Sequence, residues 1–255
     1  MHTTLTSALR RPVAPGFALL AVFIGMLAAL APPANASSAQ AGNHYYVLIP
    51  GSCDSAGQAY DDVIRNQIEP QGSIALKVHY VASAPPLPCS NVGYQESVNQ
   101  GHAEAARVIE EAHRNDPSGH FTVVGYSQGA QVANLLLEQI ADGKSSVPKG
   151  QVDAKIYADP MQPGTGIGAR FPKGMAIPYG GYVAPGQGRT DFNGIPFLRY
   201  CIETDGVCDT RDILQAPGGY AAQHGCYGYG VFATITDGVF SNQSHFWPRI
   251  NCWGR

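Results

Sequence analysis

The segment Gly125-Tyr126-Ser127-Gln128-Gly129 places a serine between two glycines at a spacing that can support covalent catalysis. The G-x-S-x-G pattern is typical of a strained turn from a strand into a helix, in which the glycines avoid clashes and the serine hydroxyl stays exposed at the edge of a sheet. Residues 120–125 are predicted to form a strand, and residues 128–141 have the apolar spacing of a helix. The sequence therefore predicts that Ser127 is a nucleophile.

A nucleophilic serine needs a general base, which usually follows the nucleophile and the orienting acid in the chain when this turn is used. Two histidines, His224 and His245, lie downstream of Ser127. Because His245 lies beside Phe246 and Trp247, it can also be interpreted as a packed structural histidine. We therefore favour His224 as the base.

Carboxylates that can orient the base occur at two places after the serine. Glu203 and Asp205 lie in the cysteine-bounded segment 201–208, where a small disulfide loop after a strand would fix a carboxylate. Asp159 is the alternative, at the end of a predicted strand, although Asp159-Pro160 is also a common start of a turn.

Two backbone N–H groups are needed to hold the oxyanion of a tetrahedral intermediate, and one normally belongs to the residue after the nucleophile, here Gln128. The second is expected from the loop after an early strand. Gly51-Ser52 follows the apolar run at residues 44–50 and is the natural candidate, with the Ser52 hydroxyl as an additional donor. A simple strand-ending turn is the alternative.

The remaining motifs do not favour a cofactor. The glycine-rich segment 164–168 follows Pro163 and leads into Phe171-Pro172, so no helix can begin there as a dinucleotide site requires. The sequence has no C-x-x-C spacing and no histidine pair at metal-ligand spacing, so we expect neither a metal nor a nucleotide cofactor. We expect the carboxylates of Asp209 and Asp212 to be solvated.

The elements that must position these residues alternate between strands and helices. The patterns predict strands at residues 44–50, 73–82, 120–125, 152–158 and 195–201, and helices near residues 57–68, 94–113 and 128–141. This alternation favours an α/β fold with a central, mostly parallel sheet flanked by helices in a single domain. Residues 160–194 are rich in proline and glycine and are expected to form loops.

The N-terminal residues have the pattern of a secretory signal peptide. Arg10 and Arg11 precede an apolar run at residues 16–30, and Ala34-Asn35-Ala36 is a cleavage site, so residues 1–36 are expected to be removed and residues 37–255 to form the domain. The apolar run is shorter than the ~20 residues that span a bilayer, so no stable membrane span is expected after cleavage. An exported chain with six cysteines should contain disulfides.

The composition limits the function classes further. With 44% hydrophobic and 14% charged residues among 255, the chain is expected to bury a core. Its formal net charge of -3 and its lack of lysine and arginine runs argue against nucleic acid as a partner, because nucleic-acid binding needs a basic surface.

These motifs resemble those of the cutinase-like serine esterases of the α/β-hydrolase superfamily. Residues 125–130 (GYSQGA) resemble the cutinase nucleophile segment, and residues 201–208 (C-x-x-x-D-x-V-C) resemble the acid loop, which implies Asp205 rather than Glu203. Residues 50–52 resemble the oxyanion segment, which implies that Ser52 acts with Gln128.

The sequence is most similar to the secreted bacterial PE-PPE hydrolase domain within this group. Residues 158–164 resemble the aspartate-proline segment and the proline-glycine loop of that domain. Cutinases place the catalytic histidine just after an Ala-Pro pair, whereas Gly218 follows that pair here. The PE-PPE pattern, in which a later histidine precedes a tyrosine by a few residues, fits His224 and Tyr227.

The resemblance implies a secreted or envelope-associated serine esterase or lipase with the triad Ser127, His224 and Asp205, acting on short- to medium-chain acyl esters. It also implies the disulfides Cys53–Cys89, Cys201–Cys208 and Cys226–Cys252. The expected partner is an ester or lipid substrate, and we expect a monomer. The alternative is a protein on the same scaffold that transfers acyl groups or only binds lipid or cell wall.

Overall fold

A six-stranded parallel sheet runs through the part of the chain that the computed structural model describes, residues 42–177 and 180–252. Its strands, in spatial order, are β2 (Ile74–Lys77), β1 (His44–Ile49), β3 (His120–Tyr126), β4 (Val152–Tyr157), β7 (Phe197–Ile202) and β8 (Gln243–Trp247). A separate pair of short antiparallel strands comprises β5 (Ala176–Ile177) and β6 (Tyr182–Val183). The expected α/β class is confirmed. The predicted signal peptide, residues 1–36, lies outside the described residues and stays a prediction.

Helices cover both faces of this sheet. On one face, α2 (Tyr94–Asn115) and α3 (Gln128–Ala141) bury an apolar core with alternate residues of β1, β3 and β4. On the other face lie a run of short helical turns at residues 58–71, which includes α1 (Asp61–Val63), and the turns at residues 224–236 that follow α4 (Ala216–Gln223). Because the two central strands β3 and β4 are covered on both faces, nearly all of their residues are buried.

Two predicted elements are shorter or more broken than their patterns indicate. The strand predicted at residues 73–82 ends at Lys77, and the chain then leaves the edge of the sheet so that the Ala82 carbonyl accepts from the N–H of Cys53. The helix predicted near residues 57–68 is a series of short turns that starts after Gly57 and ends at Gly72, both in the left-handed conformation. No helix among the described residues is long and apolar enough to cross a membrane.

A histidine–carboxylate pair lies at the beginning of the strands, at the end of the sheet away from Ser127. His120 Nε2 is 2.8 Å from Asp153 Oδ2, and this hydrogen bond raises the pKa of His120 above its usual value. His44 is near by, with its ring 5.1 Å from that of His120, and its pKa is lowered by burial and by His120. Protonating His120 therefore stabilises the fold, whereas protonating His44 opposes it.

We expect Asp153→Asn to remove the stability that comes from the charged His120–Asp153 pair. Because the folded pKa of His120 is raised, that contribution is complete below the unfolded pKa of about 6.5 and is lost as the pH rises through the folded pKa. The variant should therefore lose more stability at pH 5.5 than at pH 8.5, by less than about 1 kcal/mol because His120 is part-exposed. Urea unfolding at both pH values measures this difference, and an equal loss at both would contradict it.

Candidate active site

Ser127 occupies the sharp turn between β3 and α3 in an unusual backbone conformation. Its φ of 57° and ψ of -120° lie in a region that residues other than glycine rarely adopt. The turn is possible because Gly129 passes close to the end of β1, where an added Cβ would lie 2.2 Å from the Ile49 carbonyl oxygen. Gly125 is equally confined, since its Cβ would meet the Gly129 oxygen at 2.5 Å. The two glycines of the motif are thus both required by packing.

The Ser127 hydroxyl lies against a histidine that is 97 residues further along the chain. Ser127 Oγ is 2.8 Å from His224 Nε2, and His224 Nδ1 is 3.0 Å from each carboxylate oxygen of Asp205. All three residues are buried. With the ring proton on Nδ1 donated to Asp205, Nε2 is free to accept from the serine hydroxyl. This arrangement can activate the serine as a nucleophile.

The Asp205 carboxylate is held by two further donors. The Val207 N–H donates to Oδ1 at 3.0 Å, and the Tyr227 hydroxyl donates to Oδ2 at 2.9 Å. Asp205 lies in the loop closed by the disulfide Cys201–Cys208, directly after β7. The loop and its hydrogen bonds fix the carboxylate where the histidine can reach it.

Aromatic rings surround the imidazole of His224. The rings of Tyr126 and Tyr220 are stacked with it at centroid distances of 5.3 and 4.7 Å. The Tyr126 hydroxyl also donates to the His224 carbonyl oxygen. Because α4 ends at Gln223, the histidine begins a tight turn whose backbone Tyr126 holds against the end of β3.

Ser52 and Gln128 lie beside Ser127 on one groove. The N–H of Gln128 belongs to the first turn of α3, where helical N–H groups have no acceptor within the helix. The Gln128 side chain faces the interior, donating to the Ser83 carbonyl at 2.8 Å and accepting from the Ser97 hydroxyl at 3.0 Å. That anchoring fixes the first residue of the helix, and with it the N–H group next to Ser127.

The groove at Ser127 has a volume of about 280 Å³. Apart from Ser52, Ser127 and Gln128, its walls are apolar or aromatic side chains, which are Ala84, Pro85, Pro86, Leu87, Tyr94, Pro160, Ile167, Tyr182, Val207 and Tyr220. Such a surface suits an apolar group attached to a reacting carbonyl. Across residues 42–177 and 180–252, no cluster of histidine, cysteine and carboxylate side chains is arranged to hold a metal.

The alternatives considered from the sequence lie elsewhere. His245 is exposed on β8 and packs edge-on against Tyr200, and Glu203 is exposed. Asp159 is buried and paired with Arg199 at 2.8 Å, which holds the loop after β4.

The expectation that Asp209 is solvated is wrong. Its carboxylate is buried, accepts from the Thr204 N–H at 2.9 Å and pairs with Arg211 at 2.7 Å. Arg211, two residues later, is the sequence signal that could have indicated this pair.

Three disulfides lie next to the residues of this site. The structure contains Cys53–Cys89, Cys201–Cys208 and Cys226–Cys252, the pairs that the family resemblance implies, and no described cysteine is free. Each begins or ends close to a site residue, since Cys53 follows Ser52, the second pair brackets Asp205, and Cys226 lies two residues after His224.

Comparisons with known proteins place the chain in a family. The model described as the PE-PPE domain matches residues 71–213, which include Ser127, Gln128 and Asp205 but not Ser52 or His224. The chain is 32% identical over 127 residues to the uncharacterized PPE family protein PPE28 of Mycobacterium tuberculosis (strain ATCC 25618 / H37Rv), covering 49% of this chain and 18% of that protein. It therefore spans under a fifth of the length of that relative.

Similarity extends to fungal proteins. Acetylxylan esterase 2 of Talaromyces purpureogenus is 28% identical over 171 residues, covering 62% of this chain and 67% of that protein. Among solved structures, the catalytic core domain of the acetyl xylan esterase from Trichoderma reesei is 21% identical with a TM-score of 0.48, covering 78% of this chain and 98% of that chain. Because the PE-PPE model matches more than half of the sequence, the chain belongs to the PE-PPE domain family.

Proposed function

We propose that this protein is a serine carboxylic ester hydrolase that works through an acyl-enzyme on Ser127. The observation that carries the proposal is the hydrogen-bonded series in which Ser127 Oγ lies 2.8 Å from His224 Nε2 and His224 Nδ1 lies 3.0 Å from Asp205. The similarity to proteins named acetylxylan esterases supports the same reaction class.

In the proposed reaction, Ser127 Oγ attacks the ester carbonyl carbon while His224 Nε2 accepts the hydroxyl proton. The Asp205 carboxylate stabilises the imidazolium, and the N–H of Gln128 with donors from Ser52 stabilises the oxyanion. Collapse of the intermediate expels the alcohol, which takes the proton from His224. A water molecule then repeats the sequence on the acyl-enzyme, releasing the acid and restoring Ser127.

The groove supports short- to medium-chain acyl esters as substrates. Its volume of about 280 Å³ lies at the lower end of the ~300–1,000 Å³ typical of small-molecule pockets, and its walls are mostly apolar. A long acyl chain would extend beyond it and leave apolar surface in water.

The disulfides and the N-terminal sequence pattern support an exported setting for this reaction. Three disulfides are expected of a protein in an oxidising compartment, and residues 1–36 have the pattern of a signal peptide. We propose that residues 37–255 act as a secreted or envelope-associated monomeric domain.

Hydrolysis of p-nitrophenyl esters of graded acyl length by the oxidised protein tests the proposal. We expect turnover that depends on Ser127, with kcat/KM highest for short and medium chains and at least about tenfold lower for a sixteen-carbon chain, which the groove cannot bury. The rate of Ser127→Ala, measured in parallel, gives the hydrolysis that does not depend on Ser127 and is subtracted from the wild-type rate. A folded wild type with no Ser127-dependent turnover on any ester would reject the hydrolase and favour acyl transfer to an alcohol or a binding role.

A further inference from the structure

We propose that Tyr227 is a positioning residue that holds the Asp205 carboxylate toward His224 and moderates the basicity of the His224–Asp205 pair. Its kinetic consequence rests on the proposed function, whereas its effect on the histidine does not. The proposal concerns a hydroxyl that lies one residue beyond the disulfide half-cystine Cys226 and does not face the groove.

Tyr227 contacts both the Asp205 carboxylate and the backbone at the end of β7. Its hydroxyl donates to Asp205 Oδ2 at 2.9 Å and accepts from the Ile202 N–H, also at 2.9 Å. Ile202 is the last residue of β7, so the hydroxyl connects the end of a strand to the carboxylate three residues later. The tyrosine is fully enclosed, and its ring centroid lies 6.4 Å from that of His224.

The carboxylate has one fixed donor on each oxygen besides the histidine. Val207 N–H binds Oδ1 and the Tyr227 hydroxyl binds Oδ2, while His224 Nδ1 lies 3.0 Å from both oxygens. This balance sets the rotation of the carboxylate. Without the hydroxyl, Oδ2 would keep only the histidine as a strong donor, and the rotation of the carboxylate about its Cβ–Cγ bond would be fixed by Val207 and His224 alone.

Tyr227 acts as a donor throughout the useful pH range. Burial raises the pKa of its hydroxyl well above the usual value, and the negative charge of Asp205 raises it further. A hydrogen bond donated to a carboxylate draws negative charge away from it. The pair then holds the imidazolium proton less strongly than an otherwise identical pair without the tyrosine.

The other groups that face the pair are neutral tyrosines. Tyr126 at the end of β3 and Tyr220 on α4 contact the imidazole through their rings, and burial raises the pKa of both hydroxyls. Among the described residues, no lysine or arginine hydrogen-bonds to Asp205 or His224. A substitution at Tyr227 should therefore change the protonation of His224 without interference from another charged side chain.

NMR titration of the His224 ring in Tyr227→Phe tests the proposal without any substrate. The His224 resonances are assigned by their loss in His224→Gln. We expect the pH midpoint of protonation to rise by about half a pH unit or more relative to wild type, because the carboxylate keeps more of its charge. Tyr157→Phe is the matched control, since Tyr157 is also fully buried and its hydroxyl bonds to Thr234 at 2.9 Å rather than to the site.

Incorporation of 3-fluorotyrosine at position 227 covers the case in which the phenylalanine variant does not fold. This tyrosine has nearly the same shape but donates a stronger hydrogen bond, so the His224 midpoint should fall instead of rising. Equal midpoints in wild type, Tyr227→Phe and Tyr157→Phe, or no shift with 3-fluorotyrosine where Tyr227→Phe is unfolded, would overturn the proposal.

Steady-state kinetics of Tyr227→Phe distinguish failure of this proposal from failure of the proposed function. In Tyr227→Phe we expect the acidic limb of kcat/KM to move to higher pH and plateau kcat to fall by about tenfold, with KM little changed, whereas Tyr157→Phe keeps the wild-type profile. An unmoved limb would count against Tyr227. Absence of Ser127-dependent turnover in wild type would reject the hydrolase, while the NMR midpoint would still decide the role of Tyr227.

Discussion

Replacing Ser127 with alanine is expected to lower kcat for ester hydrolysis by about 10⁵- to 10⁶-fold, the scale of loss when a serine nucleophile is removed from a triad. The variant retains the oxyanion donors and the groove, so KM should change little. The methyl side chain occupies the same turn, so the variant should fold, with a stability loss of no more than about 1–3 kcal/mol for the buried hydrogen bond to His224. Steady-state hydrolysis of a short-chain ester, with thermal unfolding in parallel, measures both results.

Ser118→Ala is the matched control for that experiment. Ser118 is an exposed serine in the loop before β3, and its hydroxyl bonds to Asp116. It should retain wild-type turnover. Loss of activity in both variants would indicate a preparation effect, and retention of turnover in Ser127→Ala would assign the nucleophile to another residue.

His224→Ala is expected to cost about as much in kcat as loss of the serine, whereas His245→Ala should leave kcat within about twofold of wild type. The reason is geometric, because His224 lies 2.8 Å from the nucleophile and His245 is exposed on the edge strand β8. The double variant Ser127→Ala/His224→Ala should be no slower than either single variant, since the two residues act in one step.

Parallel assays of the four proteins against wild type check this prediction. Additive losses in the double variant would mean that Ser127 and His224 work independently. A large loss of kcat in a folded His245→Ala variant would instead indicate that His245 is the general base.

The central strands and the turn at Ser127 could be predicted because their patterns are local. Residues 44–50 and 120–125 are mostly apolar and residues 152–158 alternate between apolar and polar types at first, and they form β1, β3 and β4 to within one residue at each end. Helix α3 has the predicted bounds, because its apolar spacing begins directly after the turn. Strand β8 has no comparable pattern, since Gln243, Ser244 and His245 are exposed and only pairing with β7 makes them a strand.

The site was predictable to the extent that each residue lies in a short motif. Gly125–Gly129 and the segment 201–208 each indicate a residue from their own neighbours. The choice of His224 over His245 depends on weaker local context, because nothing near either histidine indicates a contact with Ser127, which is 97 residues from His224. The Tyr227–Asp205 hydrogen bond depends on how the 201–208 loop packs in three dimensions, which no local pattern indicates. For the buried Asp209, the nearby Arg211 is the one local signal.

The backbone of Ser127 carries a consequence for how the sequence can evolve. A conformation with φ of 57° and ψ of -120° costs a residue with a side chain on the order of 1–3 kcal/mol, which exceeds the ~0.5–1 kcal/mol that glycine loses through its greater freedom when unfolded. Selection for stability alone would therefore place glycine at position 127. A serine survives there only under selection for what its hydroxyl does, so the identity of this residue in a descendant of the chain reports whether its chemistry is still in use.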